Sequence, residues 1–158
     1  LDRSSERKLK MMRLYNSDLV RVPAYDGKNL NWYKKDIVLP KKTITTTENQ
    51  KVTNYEIACS LSHIKAIKMA YENNEQEVFI IEDDIYNTYA HKWNKTLREI
   101  IKSKRHWMEC ITFFCINPEL TTKMMKLSYD LIPFNSQHWS TGCYYINRSG
   151  MKNRKRLA

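Results

Sequence analysis

The run Val78-Phe79-Ile80-Ile81 restricts this chain more than any other feature. Successive side chains of a strand point to opposite faces, so four apolar residues in a row need cover on both sides. A strand of that kind belongs inside a sheet flanked by helices. The run stops abruptly at Glu82-Asp83-Asp84. Just upstream lies the best helix signal in the chain. Thr53 and Glu56 form a capping box, and Ile57, Leu61, Ile64, Ile67 and Tyr71 follow at helical spacing until Asn73-Asn74.

The rest of the chain continues the alternation. Residues 4–15 read as a helix with Leu9, Met12 and Met11 on its inner face. Leu19 to Tyr25 reads as a strand ending at the turn signal Asp26-Gly27, and residues 28–52 as a long polar loop. A second helix is expected from Trp93 to Lys104. Further strands are expected over Glu109–Cys115, Asp130–Phe134 and Cys143–Asn147. Strands alternating with helices predict an α/β fold with a mixed, mainly parallel sheet. At 158 residues the chain suits one domain, residues 1–158, with one core.

Composition narrows the function classes. Twenty-seven Lys and Arg against 17 Asp and Glu leave a net charge of +10, which attracts phosphate in nucleic acid, anionic membrane or nucleotide-sugar. The basic residues are spread along the chain, and Tyr33-Lys34-Lys35 and Trp93-Asn94-Lys95 are poor examples of an aromatic-basic strip, so no nucleic-acid partner is expected. With three glycines in all, there is no GxGxxG and no GxxxxGK[ST], hence no support for a dinucleotide or Walker-type site. No apolar run is long enough to span a bilayer. Cys59, Cys110, Cys115 and Cys143 lack metal-ligand spacing and read as reduced core residues. Cysteine usage and the lack of a signal region favour a cytoplasmic or membrane-peripheral place, with a secretory lumen left open.

The chemistry-bearing residues start with Glu82-Asp83-Asp84. Ligands of open α/β sheets bind at the carboxyl ends of strands, where this triplet stands. Strand alternation would put Glu82 and Asp84 on one face and Asp83 on the other. Crowded carboxylates favour a compensating hard cation, Mn²⁺ or Mg²⁺, which suits oxygen ligands and diphosphates. An acidic turn that complements a helix dipole is the alternative. Glu56, Ser60 and His63 also form a polar stripe along one helix. His63 in that stripe could orient a phosphate, a carboxylate or a metal-bound group, or be an ordinary helix-surface residue or a satisfied core contact.

Five blocks, in order, resemble glycosyltransferase family 25, which includes bacterial lipopolysaccharide galactosyltransferases and animal collagen hydroxylysine galactosyltransferases. They are Leu1-Asp2-Arg3 with Glu6-Arg7 and Met11; Ala24-Tyr25-Asp26-Gly27; Ala58-Cys59-Ser60-Leu61-Ser62-His63; Glu82-Asp83-Asp84; and Ser140-Thr141-Gly142-Cys143-Tyr144-Tyr145-Ile146 with Ser149-Gly150. The blocks extend across nearly the whole chain.

The resemblance implies a GT-A-like nucleotide-sugar-binding domain and a UDP-sugar donor. It also implies metal-assisted, inverting transfer of a hexose, galactose first among them, to a hydroxyl of a glycan or a collagen-like hydroxylysine. Carried onto this chain, Asp84 with Glu82 would hold Mn²⁺ (or Mg²⁺). Arg3, Arg7, Asp26, Gly27, Glu82 and Asp83 would lie towards the donor. His63 would face the site as a catalytic residue, and Glu109 in Trp107-Met108-Glu109 would be the general base, with Asp130 the other acidic candidate. His138 and Trp139 would stack on the acceptor.

The chain departs from the family pattern at Ala58, where the family has Gly, and at Thr112-Phe113-Phe114, where it has Leu-Gly. A first strand before Leu1 and a helix after Gly150 are also expected, so the domain reads as trimmed at both ends. These departures keep a second reading in view: a catalytically inactive relative acting as a carbohydrate- or partner-binding module.

Overall fold

The computed structural model describes residues 4–15, 19–29, 53–85, 94–119, 122, 131, 133 and 141–154. Most of the loop read over 28–52, the strand read over 130–134 apart from Leu131 and Pro133, and Arg3, His138 and Trp139 lie outside the described residues. The described residues fall into two compact units, divided between Asn73 and Asn74, with the chain returning to the first at Lys152. No helix among them is long and apolar enough to cross a membrane.

The first unit contains helices α1 (Ser5–Tyr15) and α2 (Asn54–Glu72). In α1 the inner residue is Met11, whereas Leu9 and Met12 are 55% and 53% exposed, so the expected inner face is corrected by a rotation of the helix. Helix α2 begins where the capping box requires. Thr53 Oγ1 accepts the Glu56 N–H at 3.3 Å, and the Glu56 carboxylate accepts the Thr53 N–H. Two of the four donors a helix start leaves open are thereby satisfied, worth about 1 kcal/mol for the cap residue alone. The helix ends at Asn73, and Asn74 takes a left-handed φ of 62°, a conformation that asparagine tolerates.

Residues 19–26 form no strand. Side chains of α2 take up their backbone groups in place of a neighbouring strand. The Tyr25 N–H donates to Ser62 Oγ at 2.9 Å, and Lys65 Nζ donates to the Pro23 carbonyl at 2.9 Å. Ser62 Oγ in turn donates to the Ala58 carbonyl one turn back. Once those groups are satisfied locally, the apolar pattern of the segment no longer demands a sheet.

The second unit contains β1 (Glu77–Ile81), helix α3 (Leu97–Ser103), β2 (Cys110–Thr112) and β3 (Cys143–Asn147). Helix α4 (Arg148–Arg154) follows β3 directly. The three strands form a sheet in the order β1-β3-β2, and both pairings are antiparallel. The expectation of a mainly parallel sheet is therefore corrected. A continuous apolar run requires cover on both faces but does not set strand direction, and the long connections here carry the chain back either way. The cover also falls elsewhere. Central β3 is the buried strand, with Tyr145 and Ile146 each 2% exposed, whereas Val78 to Ile81 of β1 are half-buried.

Helix α3 starts later than its apolar pattern suggests. Thr96 and Glu99 make a second capping box, and Leu97 is the first helical residue. The core of this unit rests on β3, Ile111 and Met151, the last with no exposed surface. None of the four cysteines is in a disulfide, but Cys59 and Cys110 are exposed, which corrects their reading as core residues; Cys143 is buried and Cys115 intermediate.

Candidate functional site

Register puts three chain segments at one end of the sheet. Ile81 at the carboxyl end of β1 pairs with Cys143 at the start of β3, and Thr112 at the end of β2 pairs with Tyr144. The Glu82 N–H extends the ladder by donating to the Gly142 carbonyl at 2.8 Å. The chain then turns through Asp83 and Asp84, with the Ile85 N–H closing back on the Glu82 carbonyl at 3.3 Å. Because of this turn, strand alternation stops at Glu82 and does not decide how the three carboxylates share faces. Glu82 and Asp83 are half-buried; Asp84 is exposed.

One contact fixes the first of these carboxylates. Thr141 Oγ1 donates to Glu82 Oε1 at 2.7 Å, across 59 positions of sequence. The hydroxyl holds one oxygen of Glu82 beside the start of β3. Nothing in the spacing of the triplet singles out Thr141; its signal lay in the Ser140-Thr141-Gly142 block. Three consecutive carboxylates on a turn, one held by a hydroxyl, are a hard oxygen donor set. Their chemistry fits Mg²⁺ or Mn²⁺.

Glu109 stands at the other end. It directly precedes β2, its carbonyl accepts the Asn147 N–H at 3.0 Å, and its Oε1 accepts the Ser149 hydroxyl at 2.7 Å. Asn147 completes the knot, donating from Nδ2 to the Met108 carbonyl and accepting the Gly150 N–H. Five residue steps of β3 separate this knot from Gly142, roughly 17 Å at strand rise. The structure therefore does not bring Glu109 to the acidic triplet. Its carboxylate ties the first turn of α4 to the start of β2.

In the first unit, Asp26 and Gly27 form a tight turn on α2. Asp26 Oδ1 accepts the Lys28 N–H at 3.0 Å, and the Asp26 carbonyl accepts the Asn29 N–H at 2.9 Å. A Cβ on Gly27 would lie 2.8 Å from Tyr55 Cα and 3.0 Å from Tyr55 N, so the turn seats on the first turn of α2 only without a side chain. Tyr25, just before it, lies under Lys65 with Nζ 5.3 Å from the ring centroid. His63 is half-buried on α2, and Arg7 is exposed on α1. Glu56, at the head of the polar stripe, is occupied by its cap. The Thr53 N–H and hydroxyl hold its carboxyl below the ordinary value.

The model of glycosyltransferase family 25, described as an LPS biosynthesis protein family, matches residues 1–154. The chain belongs to glycosyltransferase family 25. That match takes in the Asp26-Gly27 turn, the α2 segment around His63, the acidic turn and β3 of this family 25 chain together. Comparison with curated proteins and with solved structures gives no match. Membership supports glycosyl transfer in general, with a sugar donor and a glycan acceptor.

Proposed function

We propose that this family 25 chain transfers a hexose, galactose in our reading, from a UDP-sugar to a hydroxyl of a glycan or hydroxylysine acceptor with inversion. The observation that carries the proposal is the acidic turn at the end of β1, with Glu82 held by Thr141. In this reading Asp84 and Glu82 hold Mn²⁺ or Mg²⁺, and Asp83 lies towards the donor. The ion would neutralise charge building on the diphosphate leaving group. Thr141 keeps Glu82 in one orientation, so the carboxylate is set before the donor arrives. Arg7, Asp26 and Gly27 stay assigned to the donor and Arg3 to its diphosphate, His63 to a catalytic role, and His138 and Trp139 to the acceptor.

One observation favours the second reading, a relative that binds sugar or a partner without turnover. Glu109, the general base implied by the family pattern, is tied to Ser149 at the opposite end of the sheet from the triplet.

Thermal unfolding with UDP, with Mn²⁺ and with both tests the proposal, because a ligand of the folded state raises the melting temperature by mass action. Stabilisation is expected only with the pair, and is expected to vanish in Asp84→Asn. An unshifted melt with the pair, or an undiminished shift in Asp84→Asn, overturns the metal–diphosphate assignment. Hydrolysis of UDP-galactose then separates turnover from binding.

A further inference from the structure

We propose that Phe114 is a platform for the pyranose ring of a sugar substrate at the acidic end of the sheet. The proposal rests on the transferase reading above and names a substrate contact within it. Two adjacent phenylalanines follow β2, and they have different fates. The Phe113 N–H donates to the Cys143 carbonyl at 2.9 Å, and its ring packs on Phe79 with centroids 5.4 Å apart. Phe113 is thereby packed against β1 and half-buried. Phe114 follows on the opposite side of an extended chain and is 37% exposed.

Register then sets what lies beside that exposed ring. Thr112 pairs with Tyr144 and Phe113 bonds to Cys143, so Phe114 comes level with Gly142. A Cβ on Gly142 would lie 3.1 Å from Phe114 Cδ1 and 2.7 Å from Ile85 Cδ1. The missing side chain lets the ring and the Ile85 tip settle against the backbone. The Gly142 carbonyl meanwhile accepts the Glu82 N–H, and its neighbour Thr141 holds the Glu82 carboxylate. An exposed aromatic ring and an anchored carboxylate are therefore both referenced to Thr141 and Gly142, the two residues just before β3.

That pairing matches the two-sided chemistry of a hexose. A pyranose has a face of C–H groups that an aromatic ring can cover, and a rim of hydroxyls that donate to a carboxylate. A phosphate gains nothing from the ring and meets the carboxylates favourably only through a bridging cation. A uracil base would use the ring but brings no hydroxyl rim.

Saturation-transfer NMR with methyl β-galactopyranoside and, separately, with uridine tests the platform on the whole chain. The comparison includes wild type, Phe114→Leu and Phe114→Tyr. Leucine keeps apolar bulk and removes the flat face; tyrosine keeps the face and controls for folding. The galactoside is expected to bind wild type and Phe114→Tyr alike, and Phe114→Leu roughly threefold to tenfold more weakly. Uridine binding and the UDP-with-Mn²⁺ melting shift are expected to be equal in all three. Equal galactoside binding in wild type and Phe114→Leu, no galactoside binding to wild type, or a loss confined to uridine each overturns the platform. If the galactoside results hold while UDP and Mn²⁺ fail to stabilise wild type, the platform stands and the transferase reading falls.

Discussion

Thr141 donates its hydroxyl to Glu82 Oε1 at 2.7 Å, binding the start of β3 to the acidic turn that leaves β1. The bond is near the surface, so its net worth to folding is modest, about 0.5–1.5 kcal/mol. Its larger effect is orientation. Outer groups that hold a ligand carboxylate typically change metal affinity by about 10- to 100-fold. Thr141→Val should lower the unliganded melt by only a few degrees while weakening Mn²⁺-dependent UDP stabilisation by roughly tenfold in apparent affinity. Titration of Mn²⁺ at saturating UDP, followed by melting temperature, checks this. An unchanged Mn²⁺ affinity would separate Thr141 from the site.

Glu109 makes the opposite prediction. Its carboxylate accepts the Ser149 hydroxyl and its carbonyl accepts the Asn147 N–H, a knot between β2 and α4. Glu109→Gln keeps the shape and an acceptor oxygen. It should lower stability by about 1 kcal/mol or less and leave sugar turnover within about twofold. Parallel melts and UDP-galactose turnover check it. A tenfold fall in turnover with the melt unchanged would return Glu109 to the role of base.

Acid sensitivity should come in part from the two capping boxes. The Thr53 and Thr96 backbone N–H groups, then their hydroxyls, hold the Glu56 and Glu99 carboxyls below the ordinary 4.5. A carboxyl depressed in the folded state contributes stability that is fully present above its unfolded value and lost as pH falls through its folded one. Glu56→Gln with Glu99→Gln keeps the capping geometry but removes the titration. The double variant should show a flatter fall in melting temperature below about pH 4.5 than wild type. Identical acid limbs would show that the caps carry no proton linkage.

Thiol reactivity should follow exposure. Burial pushes the Cys143 thiol up to about 11, which leaves almost no thiolate at neutral pH, whereas Cys59 and Cys110 are exposed. Brief alkylation of the native protein, read by peptide mass, should label Cys59 and Cys110 and spare Cys143 until denaturant is added. Early labelling of Cys143 would contradict the buried position of β3.

The local signals were legible without the fold. Thr53 and Glu56 announced the start of α2, Asn73-Asn74 its end, and Asp26-Gly27 a turn, because each acts through groups within four residues. The span of β3 and the carboxylates ending β1 were equally plain from apolar runs and their interruption. Thr96 and Glu99 carried the same capping signal, and Trp93 hid it by prolonging the apparent pattern.

Strand direction, burial and residue partnership were decided only by tertiary structure. The run Val78 to Ile81 specifies a strand wanting cover, yet the deepest burial among the strands went to Tyr145 and Ile146, because β3 is the strand flanked on both sides. Glu82 and Glu109 look alike as acidic residues at strand ends. Antiparallel pairing with β3 sends them to opposite ends of the sheet, one to Thr141 and the other to Ser149. Sequence determines which groups can form hydrogen bonds and where the chain can turn. Pairing between residues 40 or 59 positions apart depends on register, which no local pattern encodes.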